Sequence, residues 1–160
     1  MATAYTDSVG FNRNDAGFPA MRGLNRYYVM EVTLDLAKID AERQAADLAQ
    51  LATGDSLQVL KIPAWALVLN AGFEVVEGLA DLTVALGDSA GATTLLSATT
   101  AATTGDLKLS TAGGAAIKGY NDENYLRTTF AGANPRSGKV RVFLTVVDLK
   151  ADIGEVPGTV

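Results

Sequence analysis

The chain has 160 residues, a formal net charge of -5, and neither cysteine nor histidine. This length fits one domain that buries roughly 70% of the surface exposed by its unfolded form. Disulfides, thiolate zinc sites and cysteine nucleophiles are excluded, and the scattered basic residues of an acidic chain argue against a nucleic-acid groove. The sequence has no basic start before an apolar run and no uninterrupted run of 18 apolar residues, so we expect no signal peptide and no membrane contact.

Residues 1–26 mix Gly, Asn and Asp with single aromatics and show neither helical nor strand periodicity. We interpret them as an extended N-terminal arm, and the composition is equally compatible with a frayed terminus. Large apolar side chains and arginines suit a segment that lies across a neighbouring subunit. The arm residues expected to contact a partner are Phe11, Arg13, Phe18, Arg22 and Arg26.

The first regular elements are a strand and a helix. Residues 27–35 alternate, with Tyr28, Met30, Val32 and Leu34 on one face, which predicts a half-buried strand. Residues 36–51 change to helix-favouring Ala, Leu, Glu, Gln and Arg and predict one helix that ends before Gly54.

Short strands follow the helix. The sequence predicts strands at 56–62, 66–70, 73–77 and 82–87, with turns at Pro63-Ala64, Ala71-Gly72 and Gly78. Residues 89–119 are dominated by Ala, Thr, Gly and Ser and predict a long surface excursion with at most one short strand. That excursion suits either packing against a partner or a flexible loop.

Strand character returns in the last third, at 124–131 and 139–149. In the second of these strands Phe143 and Val147 make both faces apolar, which indicates a central strand or one covered by a partner. Residues 151–160 carry Gly154, Pro157 and Gly158, and we expect a loose C-terminal tail.

These elements predict an all-β fold with one domain at 27–150. About eight short antiparallel strands, with one short helix between the first and second, favour a single jelly-roll sandwich. An immunoglobulin-like sandwich is the main rival. The long first and last strands favour the jelly roll.

One motif resembles a hydrolase nucleophile elbow. Residues 87–91 fit G-x-S-x-G after a predicted strand, but the chain has no histidine to take a proton from Ser89. A Ser-Lys dyad with Lys61, Lys108 or Lys118 would be the substitute, and no S-x-x-K motif is present. We therefore interpret these residues as a turn.

Acidic residues lie close together in sequence at Glu74, Glu77, Asp81 and Asp88. Paired carboxylates serve glycosidases, but in aromatic-lined clefts, and the chain has one Trp, at position 65. We interpret these acids as solvated strand faces. No D-x-D-x-D-G calcium loop occurs, so we expect no catalytic residue, no cofactor and no metal.

Several sequence blocks resemble the capsid cement, or decoration, proteins of tailed phages, including cyanophages. The blocks are YYVMEVTLDLAKIDAERQ, LQVLKIPAWALVLNAGFEVVE, LTVALGD, KGYNDENYLRTTF and GKVRVFLTVVDL, which together cover about residues 25–150. The resemblance implies a jelly-roll homotrimer on the outer capsid surface that bridges major capsid protein subunits, made in the host cytoplasm. The mechanism implied is linkage, because a partner that binds only the assembled shell stabilises that state.

Contacts between protomers are expected at Trp65, Tyr125 and Phe143, from the preference of interfaces for aromatic side chains. The alternative function is a carbohydrate-binding jelly roll of a phage fibre or another virion attachment protein. Sugar stacking needs clustered exposed aromatics, and only Tyr120 and Tyr125 approach that arrangement in sequence.

Overall fold

The computed structural model describes residues 26–110 and 117–149, with side chains from Tyr28 onward. The described residues form nine strands and one helix. Their bounds are β1 Arg26–Asp35, α1 Leu36–Ala45, β2 Ser56–Ile62, β3 Ala66–Glu77, β4 Thr83–Asp88, β5 Gly91–Thr100, β6 Leu107–Leu109, β7 Lys118–Tyr120, β8 Asn124–Ala131 and β9 Lys139–Asp148. The expected arm up to residue 25 and the expected tail 151–160 lie outside the described residues.

Two antiparallel sheets form a sandwich. The five-stranded sheet has the order β1-β9-β3-β6, with β7 also paired to β3, and the four-stranded sheet has the order β2-β8-β4-β5. β6 and β7 pair with opposite halves of β3, so together they occupy the place of one interrupted strand. β1 pairs with β9, β2 pairs with β8, and this nested pattern continues inward to β4, which pairs with β5. This pairing is the predicted jelly roll.

The core lies between the two sheets and follows the predicted alternation. In β1 the side chains of Met30, Val32 and Leu34 are buried, as expected. Phe73 from one sheet and Phe130 from the other are fully buried, and each such side chain contributes roughly 1.5–3 kcal/mol through its removal from water.

The last strand, β9, lies between β1 and β3, which explains its apolar character on both faces. Its inward residues Val142, Leu144 and Val146 are fully buried. The prediction of a central strand is therefore confirmed, and Phe143 lies on the opposite side of the sheet.

The helix is shorter than predicted, because residues 46–51 are not helical. Asp47 adopts a φ of 55°, which reverses the chain, and the buried Asp40 carboxylate accepts a hydrogen bond of 2.6 Å from the Leu51 backbone N–H. Leu51 is consequently fully buried in the core. Gly54, with a φ of 91°, lies in the turn before β2 and does not end the helix.

The two strands predicted at 66–70 and 73–77 are one strand, β3, and the predicted turn at Ala71-Gly72 is wrong. A register shift between Val68 and Asn70 supplies the only irregularity in that half of the strand. Gly72 serves close packing instead, since a Cβ there would lie 2.7 Å from Cζ of Phe143 and 2.5 Å from the Lys108 carbonyl oxygen.

The predicted surface excursion at 89–119 is also wrong in large part, because it contains β5, β6 and β7. Leu95 and Leu96, two of its few large apolar side chains, are buried between the sheets. Small Ala, Thr and Ser side chains flank them and hide the strand periodicity in the sequence. Residues 111–116 of this stretch lie outside the described residues.

Candidate functional site

The five-stranded sheet carries a surface that we call the outer sheet face. Because Val142 and Leu144 of β9 point into the core, Arg141, Phe143 and Thr145 point outward. The register places neighbouring outward residues of β1, β3 and β6 beside them. The outer sheet face comprises Val29, Glu31, Glu74, Leu107, Leu109, Arg141, Phe143 and Thr145.

Exposed apolar side chains concentrate at this sheet. Among the described residues eight large hydrophobic side chains are exposed, and Leu48 alone is not on this sheet or beside its end. The remaining seven are Val29, Trp65, Val76, Leu107, Leu109, Ile117 and Leu149. Of these, Val29 and Leu107 line one groove, and apolar surface gathered in this way is typical of a site of interaction with another molecule.

The opposite side of the sandwich differs in chemistry. β5, at the edge of the four-stranded sheet, exposes small side chains that include Ala92, Thr93, Ser97 and Ala98. Its buried side chains are Leu95 and Leu96. Among the described residues, the exposed large hydrophobic side chains therefore concentrate on the five-stranded sheet and at its end.

A groove of about 580 Å³ crosses the outer sheet face between β1 and β6. Val29, Leu107 and Phe143 supply apolar walls, and an ion pair between Arg141 and Glu74 lies among them. Because both charges of this pair are about one-third to one-half exposed, the pair is available to a partner's polar groups.

Trp65 lies in the turn between β2 and β3, at one end of the sheet, and its side chain is 51% exposed. Its backbone has a φ of 59°, and its carbonyl oxygen accepts a hydrogen bond of 2.9 Å from the Leu149 N–H. In the register, Arg26 and Ala66 both face Asp148. The chain therefore enters the sandwich at Arg26 and leaves it after Leu149 at the same end that carries Trp65.

The residues expected to contact partners do not form one site. Phe143 lies half-buried on the outer sheet face, Trp65 lies at the end of that sheet, and the half-buried Tyr125 lies on β8 of the other sheet. The Tyr125 hydroxyl donates to the Glu123 carboxylate at 3.4 Å. Phe11, Arg13, Phe18 and Arg22 lie outside the described residues, as does the side chain of Arg26.

A buried charged cluster joins the two sheets at the same end. Asp88 ends β4, and its carboxylate accepts hydrogen bonds from Lys118 Nζ at 2.5 Å and from the Tyr120 hydroxyl at 2.7 Å. The Ala90 N–H donates to its other oxygen at 2.8 Å. Lys118 and Tyr120 belong to β7 of the other sheet, so the cluster ties the sheets together.

The interpretation of Asp88 as a solvated strand end is wrong, because its side chain has no exposed surface. Burial by itself raises the pKa of Asp88, but the hydrogen bonds from Lys118, Tyr120, Ala90 and Thr94 outweigh burial and lower that pKa to about 2. Burial, and then the bond to Asp88, raise the pKa of Tyr120. The sequence signal for this cluster is the Lys-x-Tyr spacing, which places Lys118 and Tyr120 on one face of a strand.

Ser89, of the G-x-S-x-G motif, is exposed in the hairpin between β4 and β5. Its Oγ accepts a hydrogen bond of 2.8 Å from Asn124 Nδ2, and its N–H donates to Asn124 Oδ1 at 3.2 Å. The lysines available for a dyad form ion pairs with carboxylates, Lys61 with Glu123 and Lys118 with Asp88. The geometry is that of a turn held by an asparagine.

Within residues 26–110 and 117–149 no three His, Cys, Asp or Glu side chains gather as ligands for a metal ion. Over the same part of the chain, no helix has the length and hydropathy needed to cross a bilayer.

Comparison with known proteins gives matches in structure alone. No protein-family model matches the chain, and no curated protein matches it in sequence. A chain from the acid-stable capsid of Helicobacter pylori bacteriophage KHP30 is 12% identical with a TM-score of 0.55, over 78% of this chain and 90% of that one. A chain from the capsid of Ralstonia phage GP4 is 19% identical with a TM-score of 0.52, over 81% and 88%.

A chain from the capsid asymmetric unit of cyanophage Pam1 is 22% identical with a TM-score of 0.53, over 89% of this chain and 96% of that one. All three matches extend over most of both chains. The protein therefore shares its jelly-roll fold with chains present in three phage capsids.

Proposed function

We propose that the protein is a structural component of a phage virion, a cement or decoration protein that binds the outer surface of the head as a homotrimer. Its partners are further copies of itself and the major capsid protein. It is made in the host cytoplasm, and it acts without catalysis, cofactor, nucleic acid or membrane.

The observation that carries this proposal is the outer sheet face. On this face Val29, Leu107 and Leu109 are exposed large hydrophobic side chains, and Val29 and Leu107 line one groove together with the half-buried Phe143. The shared fold with chains from three phage capsids supports a shell as the setting. The buried charged cluster is compatible with a rigid structural module, because it joins the two sheets through Asp88, Lys118 and Tyr120.

We assign the outer sheet face to contacts between protomers. Its central groove presents Phe143 and Leu107 beside Arg141, and aromatic residues and arginine are enriched at protein interfaces. Closed three-fold symmetry would bury this face at each of three equivalent boundaries. Binding of the trimer to the assembled head would then stabilise that state by linkage.

Light scattering on the purified chain tests the proposal together with a rebinding assay. We expect a mass three times the 16.6 kDa of one chain at micromolar concentration, and binding to phage heads prepared without the protein. A strict monomer that also fails to bind such heads would contradict the proposal. Micromolar binding to glycans in the same preparation would favour the carbohydrate-binding alternative instead.

A further inference from the structure

A small cleft on the four-stranded sheet contains a half-buried arginine whose Nε is buried and has no hydrogen-bond acceptor among the described residues. The cleft has a volume of about 200 Å³ and follows β8, with Arg127 and Thr129 among its lining residues. Ser56 from β2 and Ser89 from the β4–β5 hairpin also line it. We propose that this cleft binds an oxyanion, with the Arg127 guanidinium as the principal donor; a free anion would bind whether or not the proposed function holds, whereas a carboxylate from a neighbouring subunit rests on the proposed function.

Arg127 differs from the other arginines whose side chains are described. Arg43 donates to the Ala49 carbonyl oxygen, Arg136 donates to the Leu51 carbonyl oxygen, and Arg141 pairs with Glu74. Arg127 Nε is buried, and no described atom accepts a hydrogen bond from it. Native proteins rarely leave a buried cationic donor without an acceptor, because its lost hydration is not replaced.

A second polar group in the cleft is also unsatisfied. Thr129 Oγ1 is buried and has no hydrogen-bond partner within the described part of the chain. Arg127 and Thr129 are two residues apart on one strand, so their side chains lie on the same side of the sheet. A cationic donor and a hydroxyl donor therefore face one small cavity.

The shape of the cleft depends on a glycine opposite the arginine. Gly87 pairs with Arg127 across the sheet, and a Cβ on Gly87 would lie 2.0 Å from the Gly91 carbonyl oxygen. The start of β5 therefore folds over Gly87 and forms one wall of the cleft, where Gly91 and Ala92 are lining residues.

The local charge favours an anion. The acidic residue that lines the cleft is Asp88, whose carboxylate already accepts from Lys118, Tyr120 and Ala90. Lys118 compensates the Asp88 charge, so the Arg127 charge is the one in the cleft without a counter-charge among the described residues.

The chemistry of the donors defines the ligand class. A guanidinium presents parallel N–H donors that match a carboxylate, sulfate or phosphate group, and hydroxyls complete such sites. The volume is below the roughly 300–1,000 Å³ of pockets for drug-sized ligands, which limits the ligand to a small group. That group is either a free inorganic or organic anion or a carboxylate side chain of an adjoining protein subunit.

Thermal unfolding in sodium sulfate and in sodium acetate tests for a free anion, with sodium chloride at equal ionic strength as reference. Sulfate stabilises proteins generally through exclusion from their surface, so the informative quantity is the difference between wild type and Arg127→Gln. We expect each anion to raise the Tm of the wild type by roughly 2–4 °C more than that of the variant, with saturation. Arg43→Gln, which removes an arginine of the helix, should respond like the wild type.

Assembly measurements test for a carboxylate supplied by a subunit. If the free anions give no difference, we expect Arg127→Gln, but not Arg43→Gln, to weaken self-association or binding to heads at least about tenfold. Arg127→Lys keeps the positive charge but lacks the planar guanidinium, and it replaces Arg127→Gln in these measurements if that variant does not fold. We expect Arg127→Lys to weaken binding as well. Equal responses of wild type and Arg127 variants in both the anion and the assembly measurements would overturn the proposal.

Discussion

Asp88 is a single residue that holds two sheets together. Replacing its carboxylate by an amide would leave Lys118 without its counter-charge, and removal of one partner of a buried pair costs roughly 3–5 kcal/mol. Because the Lys118 side chain is 32% exposed, we expect Asp88→Asn to lower the free energy of unfolding by about 2 kcal/mol in denaturant titrations. Glu123→Gln is the matched control, since it breaks the exposed Lys61–Glu123 pair and should cost much less than Asp88→Asn. Equal effects of the two variants would contradict a stabilising role for the cluster.

Asp88 also predicts how the stability of the fold depends on pH. The folded-state pKa of Asp88 is about 2, below its ordinary value of 3.8, so its stabilising contribution is complete above about pH 4. That contribution is lost as the pH falls through about 2. The difference in stability between wild type and Asp88→Asn should therefore be constant from pH 7 to pH 5 and shrink between pH 4 and pH 2. Unfolding curves at a series of pH values measure this difference, and one that grows with acid would contradict the assignment.

At the scale of elements, alternation of large apolar side chains decided what the sequence could predict. β1 and β9 carry large apolar side chains at every second position, and β8 does so at Leu126 and Phe130 on either side of Thr128. The predicted bounds of these strands agree with the structure to within about one residue. β5 was missed because two adjacent leucines stand among small residues, which gives no period of two. The helix end was missed because Asp40 binds the Leu51 backbone, a contact that spacing does not reveal.

Gly72 was misread as a turn former for a related reason, since a glycine in a strand serves turns and close contacts alike. A Cβ at Gly72 would lie within 3.0 Å of Lys108, Leu109 and Phe143 atoms, so we expect Gly72→Ala to destabilise the fold by about 1–3 kcal/mol. Gly119→Ala, in β7 of the same sheet, is the control, because its nearest neighbour is Leu67 Cδ1 at 4.0 Å. Its effect should stay within about 0.5 kcal/mol. Thermal unfolding of the two variants compares them, and a neutral Gly72→Ala would contradict the packing of Phe143 over this glycine.

At the scale of the whole molecule, the sequence predicted the sandwich and one residue of the outer sheet face. Phe143 was selected as an aromatic on a strand that is apolar on both sides, and the structure places it in the groove. The sequence does not indicate Leu107 and Leu109 as contact residues, because they belong to a short strand inside a segment predicted to be a loop. Arg127 gave no signal, since the lack of a partner is a property of the folded chain.

The outer sheet face makes the last prediction, about assembly. Leu107 is 58% exposed, so Leu107→Lys should change the stability of the isolated subunit by no more than about 0.5 kcal/mol. If the face is buried between protomers, the same change places a charge in an apolar contact and weakens association at least about tenfold, or about 1.4 kcal/mol. Thr93→Lys adds the same side chain at an exposed position of β5 and should leave the mass in light scattering unchanged. Light scattering over a dilution series of both variants tests this assignment. If Leu107→Lys remains a trimer on dilution, the contact between protomers lies on another surface.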